Sequence, residues 1–313
     1  MMTVFTHILG DLTGQQFLDQ YWQRKPLMVP KAFPGYASPL SADELAGLAL
    51  EPDVESRIVF GSDPSGPWRL QQGPFLEADF KAMPETGWTL MVQAVDLWVP
   101  DVEAMISHFS FLPRWRLDDV MVSYAPAGGS AGPHFDQYDV FLVQVEGSKR
   151  WKIGRREDEP PSLLDNSDLR ILKDFRQVDE RVLEPGDMLY LPPGVGHWGI
   201  AETEGMTFSV GFRSPTMTDL LADLAIELVA KNNEVYYRDP KLNVEMASEH
   251  IHPAFIAQAK ALLEELLSEE GLIEDWFARF MTAPKYPDLE AQTQESRLAR
   301  INNRLYRNGD LVD

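Results

Sequence analysis

The spacing of hydrophobic positions changes twice along the chain and divides it into three parts. Over the first 55 residues the pattern is helical and loop-like, and a capping box at Ser41–Glu44 precedes a short apolar run. From about 56 to 212 it becomes short runs rich in β-branched and aromatic residues, separated by Gly, Pro, Asp and Asn. The runs lie at 56–62, 68–72, 88–95, 118–125, 139–145, 149–154, 187–192 and 206–212, with one helix at 101–109. They predict an all-β sandwich or barrel.

After Pro215 the apolar positions return to helical spacing. Helices are predicted at 216–232, 253–270 and 272–280, and no strand is predicted in this region. We therefore place a boundary near residue 215 between a β domain and a helical region, followed by a linker at 282–292. Amphipathic helices beside a barrel need a surface for their apolar faces, which the barrel or a second copy of the chain could provide.

Composition narrows the classes of function. The 313 residues include 28 Lys and Arg against 49 Asp and Glu, a net charge of −21. Such a chain repels phosphate, so we expect no direct sequence-specific binding of nucleic acid and favour cationic partners. The absence of cysteine excludes disulfides, thiol nucleophiles and cysteine-ligated metal sites. No apolar run reaches the roughly 18 residues of a membrane span, and no N-terminal signal pattern is evident, so a cytoplasmic protein is expected.

Three residues form the strongest candidate for chemistry. His134 and Asp136 are two residues apart at the start of a predicted strand, so their side chains can point to the same face. His197 follows a Pro-Pro-Gly turn after another strand, and a barrel can bring it alongside. A His-x-Asp motif alone occurs often by chance, and the additional histidine makes a metal site a more specific interpretation. Two histidines and one carboxylate form the facial triad of non-haem Fe(II) oxygenases. The other histidines are interpreted as structural.

The glycines around these residues match the two cupin motifs. Gly128, His134 and Gly147 fit the first motif, while Gly186 and the Pro-x-Gly-x-x-His segment ending at His197 fit the second. Four-ligand cupins have a second histidine and a glutamate in the first motif, where this chain has aspartate and valine. The pattern is therefore that of a three-ligand site.

The chain resembles the JmjC-type 2-oxoglutarate oxygenases over about residues 15–240. The likeness is carried by GPHFDQYDVFLVQVEGSKRWKIG, LEPGDMLYLPPGVGH and FSVGFR, and by the early WQRKPLMVPKAF and SADELAGLA. It is most similar to the bacterial ribosomal oxygenases that hydroxylate an arginine of a large-subunit ribosomal protein. The resemblance implies a double-stranded β-helix with N-terminal helices over 1–215 and a helical dimerisation region over 216–281. Residues 282–313 are interpreted as a linker and the start of a truncated C-terminal winged-helix domain.

The resemblance also implies the cofactors and their ligands. Fe(II) would be held by His134, Asp136 and His197, and would bind 2-oxoglutarate and O₂, with decarboxylation to succinate. Lys149 takes the position of the lysine that binds the distal carboxylate in JmjC-like enzymes, where the ribosomal oxygenases have arginine; its alternative is a solvated strand lysine. Arg213 is the second candidate. Ser123 and Ser209 on flanking strands could hydrogen-bond the carboxylates, or serve the barrel alone.

The substrate-binding residues are predicted less specifically. Gln137 and Tyr138 directly follow the predicted ligands, and three aspartates beside the motif strands could pair with a guanidinium: Asp118, Asp119 and Asp139. Aspartates at strand ends are also common turn residues. The leading hypothesis is hydroxylation of an arginine in a basic ribosomal protein by a homodimer. The alternatives are an oxygenase of the same fold acting on a histidine, a methyl-lysine or a small molecule, and a non-catalytic metal-binding cupin.

Overall fold

The protein comprises two compact units, divided between Ser214 and Pro215. The computed structural model describes residues 7–61, 66–157, 162–165, 169–231, 236–246, 249–287 and 297–312. The helices are α1 Gly14–Gln20, α2 Ala42–Leu48, α3 Glu77–Lys81, α4 Pro100–Ile106, α5 Met217–Ala230, α6 Pro253–Leu267 and α7 Leu272–Thr282. The strands are β1 Leu27–Val29, β2 Ser56–Phe60, β3 Arg69–Gln72, β4 Trp88–Val92, β5 Leu117–Ala125, β6 Val140–Glu146, β7 Lys149–Arg156, β8 Gln177–Leu183, β9 Met188–Leu191, β10 Val195–Ala201, β11 Gly205–Phe212, β12 Leu298–Ile301, β13 Arg304–Arg307 and β14 Asp310–Leu311.

The first unit is built from two antiparallel sheets, which confirms the predicted β architecture. The larger sheet has the order β1-β9-β6-β11-β5-β4-β2-β3, and the smaller has the order β10-β7-β8. A buried cluster joins them, with side chains from β6 and β9 against side chains from β7, β8 and β10. Strand β6 shows how the sequence produces this arrangement. Six of its seven residues are buried, because alternate side chains enter the space between the sheets and the larger core on the other face.

The N-terminal helices pack against the outer face of the larger sheet. The predicted capping box is present, since Ser41 Oγ accepts from the Glu44 amide and Glu44 accepts from the Ser41 amide. Helix α1 places Phe17, which is fully buried, with its ring centroid 4.9 Å from that of Tyr190 on β9 and 5.7 Å from that of Phe141 on β6. Edge-to-face and tilted aromatic contacts of this kind anchor α1 to the sheet.

The second unit joins helices to a small sheet. Trp276 Nε1 on α7 donates to Asp223 on α5 at 2.7 Å, and Arg279 pairs with Glu227 one turn further on. The three-stranded sheet β12-β13-β14 also packs against α7, where the Tyr306 hydroxyl and the Arg304 guanidinium both reach Asp275. No helix among the described residues is long and apolar enough to cross a membrane.

Several strands were not predicted from the sequence. Three strands, β12–β14, follow the helical region and were not predicted, because they are very short and carry charged residues at exposed positions. Strand β8 was missed because it lies at the edge of the smaller sheet and is mostly exposed or half-buried, so it shows no apolar alternation. Helix α7 ends at Thr282, where the linker was predicted to start, and residues 288–292 of that linker lie outside the described residues.

We predict that Phe17→Ala lowers the free energy of unfolding by about 3–5 kcal/mol, because it removes a fully buried ring and leaves a cavity between α1 and the sheet. Urea denaturation followed by tryptophan fluorescence measures the change. Leu76→Ala is the control, since Leu76 is 69% exposed and should change stability by less than about 0.5 kcal/mol. Equal effects of the two substitutions would contradict the packing role of Phe17.

Candidate active site

His134 and His197 form a reciprocal pair of backbone hydrogen bonds. The His134 amide donates to the His197 carbonyl at 3.0 Å, and the His197 amide donates to the His134 carbonyl at 2.7 Å. The same two segments are joined again where the Gly194 amide donates to the Asp136 carbonyl at 2.7 Å. Two segments far apart in the sequence therefore run antiparallel side by side. Such a pairing brings both histidine side chains to the same face.

The two imidazole rings are held in the same orientation by the backbone. His134 Nδ1 donates to the Gly132 carbonyl at 2.8 Å, and His197 Nδ1 donates to the Val195 carbonyl at 3.0 Å. Each ring therefore keeps its Nε2 lone pair free, which is the arrangement found in metal-binding histidines. The ring centroids are 4.3 Å apart, and His197 Nε2 lies 3.5 Å from Asp136 Oδ2.

These three side chains can hold one metal ion. Their donor atoms all lie within 4.8 Å of one another. Burial, with a smaller effect from the neighbouring His134, lowers the pKa of His197 to about 4. His197 is therefore neutral at physiological pH, as a metal ligand must be. Two imidazoles and a carboxylate suit a divalent transition metal and leave positions open for other ligands.

A cavity of about 530 Å³ adjoins the three side chains. It is lined by eight of the residues predicted from the sequence: His134, Asp136, Gln137, Tyr138, Lys149, His197, Ser123 and Ser209. Tyr138 is partly exposed, and loss of water around its hydroxyl together with the nearby Asp136 carboxylate raises its pKa. The hydroxyl therefore stays protonated and can donate a hydrogen bond at physiological pH.

Lys149 enters the cavity from strand β7 and is buried. Its ammonium lies 3.5 Å from Thr207 Oγ1 and 5.0 Å from the centre of the Trp151 ring. No carboxylate of the described residues lies within 4.0 Å of it. Burial alone lowers its pKa to about 8, which leaves the amine mainly charged at neutral pH. A buried ammonium with no anionic partner is unfavourable unless a ligand supplies the negative charge.

Gly199 opens the path that Lys149 takes. A Cβ atom at this position would lie 2.8 Å from the Trp151 ring and 2.9 Å from Lys149 Cε. Any other residue would displace one of these two side chains. The sequence analysis did not single out this glycine, since its role comes from a neighbouring strand.

Four predicted residues lie outside the cavity lining. Arg213 pairs with Asp118, with Nε 3.3 Å from Oδ1, so neither is directed to the site. The Asp119 carboxylate is buried and accepts from Gln93 Nε2 at 2.7 Å. It lies close enough to contribute to the raised pKa of Tyr138.

Asp139 is turned away from the cavity. Its carboxylate is fully buried and accepts from the Tyr190 hydroxyl at 2.6 Å and from Gln23 Nε2 at 3.0 Å. Because Val140 faces the space between the sheets, the preceding residue faces the opposite side. Asp139 therefore joins the N-terminal segment to the sheet, and the prediction that it faces a substrate is not supported by its position.

Several residues that build the site were missed in the sequence. The fully buried Ser130 accepts from the Gly132 amide and the Trp198 indole and donates to the Gly199 carbonyl, so it ties the loop before His134 to β10. Arg57 and Thr89 line the cavity from β2 and β4. A serine in a glycine-rich loop and polar residues within apolar strands are the signals that could have identified them.

Comparison with known proteins places the chain in a family. The JmjC domain family matches residues 104–220. The chain is 34% identical over 327 aligned residues to the ribosomal protein uL16 3-hydroxylase of Escherichia coli, covering 96% of this chain and 86% of that protein. The chain belongs to the JmjC ribosomal oxygenases. The predicted family, fold and enzyme class, a 2-oxoglutarate oxygenase, are thereby confirmed.

A second relative and a solved structure agree with this membership. A probable ribosomal oxygenase of Haemophilus influenzae is 36% identical over 261 residues, covering 82% of this chain and 61% of that protein. The structure of the E. coli ribosomal oxygenase YcfD in complex with cobalt and 2-oxoglutarate matches with a TM-score of 0.85 and 32% identity, covering 97% of this chain and 86% of that chain.

We predict that the protein binds one divalent ion per chain. Asp136→Ala and His197→Ala should each weaken the binding of Co²⁺ by at least about 100-fold, because each removes one of three donors from the cluster. Isothermal titration calorimetry measures the affinity. His7→Ala, at an exposed histidine remote in sequence, should leave it unchanged. Unaltered Co²⁺ binding in the two cluster variants would exclude this site.

Proposed function

We propose that the protein is an Fe(II)- and 2-oxoglutarate-dependent hydroxylase that acts on an arginine side chain of a large-subunit ribosomal protein and releases succinate. The observation that carries this proposal is one cavity that contains a two-histidine, one-carboxylate cluster and a buried lysine with no carboxylate of the described residues within 4.0 Å. The comparisons support it, since the E. coli relative is a hydroxylase of ribosomal protein uL16 and the structure of the E. coli ribosomal oxygenase YcfD contains cobalt and 2-oxoglutarate.

In this proposal His134, Asp136 and His197 hold the metal. When bound, Fe(II) supplies the oxidising chemistry with O₂ and 2-oxoglutarate. The chain contributes a fixed arrangement of donors, because both histidine rings and the backbone of Asp136 are hydrogen-bonded in place. Little reorganisation is then needed when the ion enters.

Lys149 binds the distal carboxylate of 2-oxoglutarate. Its ammonium is the buried cation of the cavity, and Thr207, which donates to Gln144 at 3.0 Å, holds the acceptor oxygen that positions it. Ser123 and Ser209 lie on adjacent strands of the larger sheet and line the same cavity. Ser209 offers a hydroxyl to the ligand, whereas the Ser123 hydroxyl donates to the Thr207 carbonyl at 3.3 Å. A lysine provides a point charge where an arginine would provide a two-pronged contact.

Gln137 and Tyr138 bind the substrate side chain. Both line the cavity beside Asp136, and the oxygens of the Tyr138 hydroxyl and the Gln137 amide can accept hydrogen bonds from a guanidinium and orient it. The net charge of −21 attracts a basic ribosomal protein. The place of action we propose is the cytoplasm.

We also propose that two copies associate through residues 216–281. Helices α5 and α6 expose apolar side chains that a partner surface could cover: Met217, Leu221, Ile226, Val229, Ile256 and Leu263. Exposed apolar patches of this extent are typical of interaction surfaces.

The alternative functions are disfavoured to different degrees. An oxygenase of the same fold acting on a histidine, a methyl-lysine or a small molecule would use the same metal cluster and the same lysine. A non-catalytic cupin has no use for a buried cation in the same cavity as a metal cluster. Names of the relatives favour the ribosomal substrate.

Lys149 makes the binding of 2-oxoglutarate depend on pH. Because the pKa of Lys149 is lowered to about 8, its charge is present below pH 8 and is lost as the pH rises through that value. The KM for 2-oxoglutarate should therefore rise about tenfold for each pH unit above pH 8. In Lys149→Arg the rise should be absent, because the guanidinium stays charged. Succinate formation between pH 7 and 9.5 gives both profiles; the same rise in both proteins would contradict the role of Lys149.

The decisive experiment tests the substrate. Ribosomal protein uL16 from cells lacking any such hydroxylase is incubated with the protein, Fe(II) and 2-oxoglutarate, and its peptides are analysed by mass spectrometry. We expect the gain of one oxygen on an arginine, and no gain with His134→Ala, which lacks one predicted metal ligand. Succinate without modified uL16 would favour an oxygenase with another substrate. Neither product, with Co²⁺ binding intact, would favour the non-catalytic cupin.

A further inference from the structure

The cavity extends well beyond the place proposed for 2-oxoglutarate. Its volume of about 530 Å³ is that of a site for a much larger ligand than a five-carbon diacid. Cross-strand pairs lead away from Lys149 along one row of the larger sheet, from Thr207 to Ser123, Met91 and Arg57. Three strand spacings separate Thr207 from Arg57, which amounts to about 14 Å. A co-substrate held by Lys149 and the metal therefore leaves this end of the cavity to another ligand.

Arg57 supplies a second cation at that end. It is half-buried on β2 and lines the cavity, and no carboxylate of the described residues lies within 4.0 Å of its guanidinium. Its charge reaches Tyr138, where it opposes the rise in pKa caused by burial and by Asp136. The guanidinium is therefore near the residue proposed to orient the substrate. Arginine offers five donors and no acceptor, so it needs an acceptor from elsewhere.

Thr89 places an unpaired hydroxyl beside Arg57. Thr89 is 1% exposed, its Oγ1 has no hydrogen-bond partner, and it lines the same cavity. It pairs across the strands with Val59, two residues from Arg57, so the two side chains are diagonal neighbours on one face. Gln72, directly opposite Arg57 on β3, adds an amide to the same lining. A buried hydroxyl without a partner is unfavourable, and a bound ligand would supply the missing hydrogen bond.

We propose that Arg57, Thr89 and Gln72 form a subsite that binds an acceptor oxygen of the protein substrate, a main-chain carbonyl or a carboxylate next to the reacting residue. The inference rests on the proposed function. Three donors at this end exclude the cationic side chain that is oxidised, because a guanidinium there would be repelled by Arg57. The reacting side chain instead passes towards Asp136 and Tyr138, while the flanking polypeptide is held at the Arg57 end of the cavity, three strand spacings from Thr207.

If this subsite binds the substrate, substitutions in it should raise the KM for uL16 and leave the KM for 2-oxoglutarate nearly unchanged. Arg57→Gln should raise the KM for uL16 about tenfold, and Thr89→Val, which keeps the side-chain shape, should raise it about threefold, since each removes a hydrogen bond to the substrate. Both should leave the KM for 2-oxoglutarate within about twofold of its original value. Arg69→Gln is the matched control, because Arg69 is an exposed arginine on β3 outside the cavity lining.

The outcomes distinguish this proposal from the proposed function. If the unaltered protein does not hydroxylate uL16, the proposed function fails and the subsite falls with it. If uL16 is hydroxylated but Arg57→Gln has an unchanged KM for uL16, or raises that for 2-oxoglutarate, only the subsite is refuted. Replacing acidic residues near the modified arginine of uL16 with their amides identifies the acceptor. An effect of Arg57→Gln that disappears on such substrates indicates a carboxylate, and one that persists indicates a main-chain carbonyl.

Discussion

The paired backbone hydrogen bonds between His134 and His197 are the constraint on which the site depends. They close a loop of more than sixty residues and set both imidazoles on one face of the ladder. Everything around them keeps that pairing in place. Ser130 holds the approach to His134 against β10, and the Gly194 amide holds the backbone of Asp136. Because the donors are positioned by backbone pairing, the cluster does not depend on a metal to assemble it.

Burial does two different things in this cavity. It lowers the pKa of His197, which keeps that imidazole neutral and able to bind a metal. It also lowers the pKa of Lys149, yet leaves the amine mainly charged at neutral pH, with no carboxylate within 4.0 Å in the part of the chain that the structure describes. The neutral His197 is stable in the buried site. The buried, charged Lys149 is unfavourable there, and an anionic ligand would stabilise it. A neutral buried histidine and a charged buried lysine in one cavity are characteristic of a binding site, and a purely structural barrel has no need of them.

The predictions from sequence succeeded where one pattern could identify a residue and failed where a side chain's direction mattered. The His-x-Asp spacing and the later histidine pointed to three residues that the structure places together. Asp139 and Arg213 have suitable chemistry for a site, but their directions depend on strand parity and on neighbours remote in sequence. Asp139 points to Gln23 and Tyr190, and Arg213 points to Asp118. An edge strand such as β8 has no apolar signature, because few of its side chains enter a core.

The sequence by itself determined the class of fold, most of the strands and the three candidate metal ligands, because strand alternation and turn residues act over short stretches of chain. Lys149 was predicted from the resemblance to the JmjC oxygenases. Only the tertiary structure decided that Gly199 makes room for Lys149, that Ser130 secures the metal loop, and that Arg57 and Thr89 share the cavity. Those relationships join residues from different strands. They depend on the register and packing of two sheets, which no local pattern specifies.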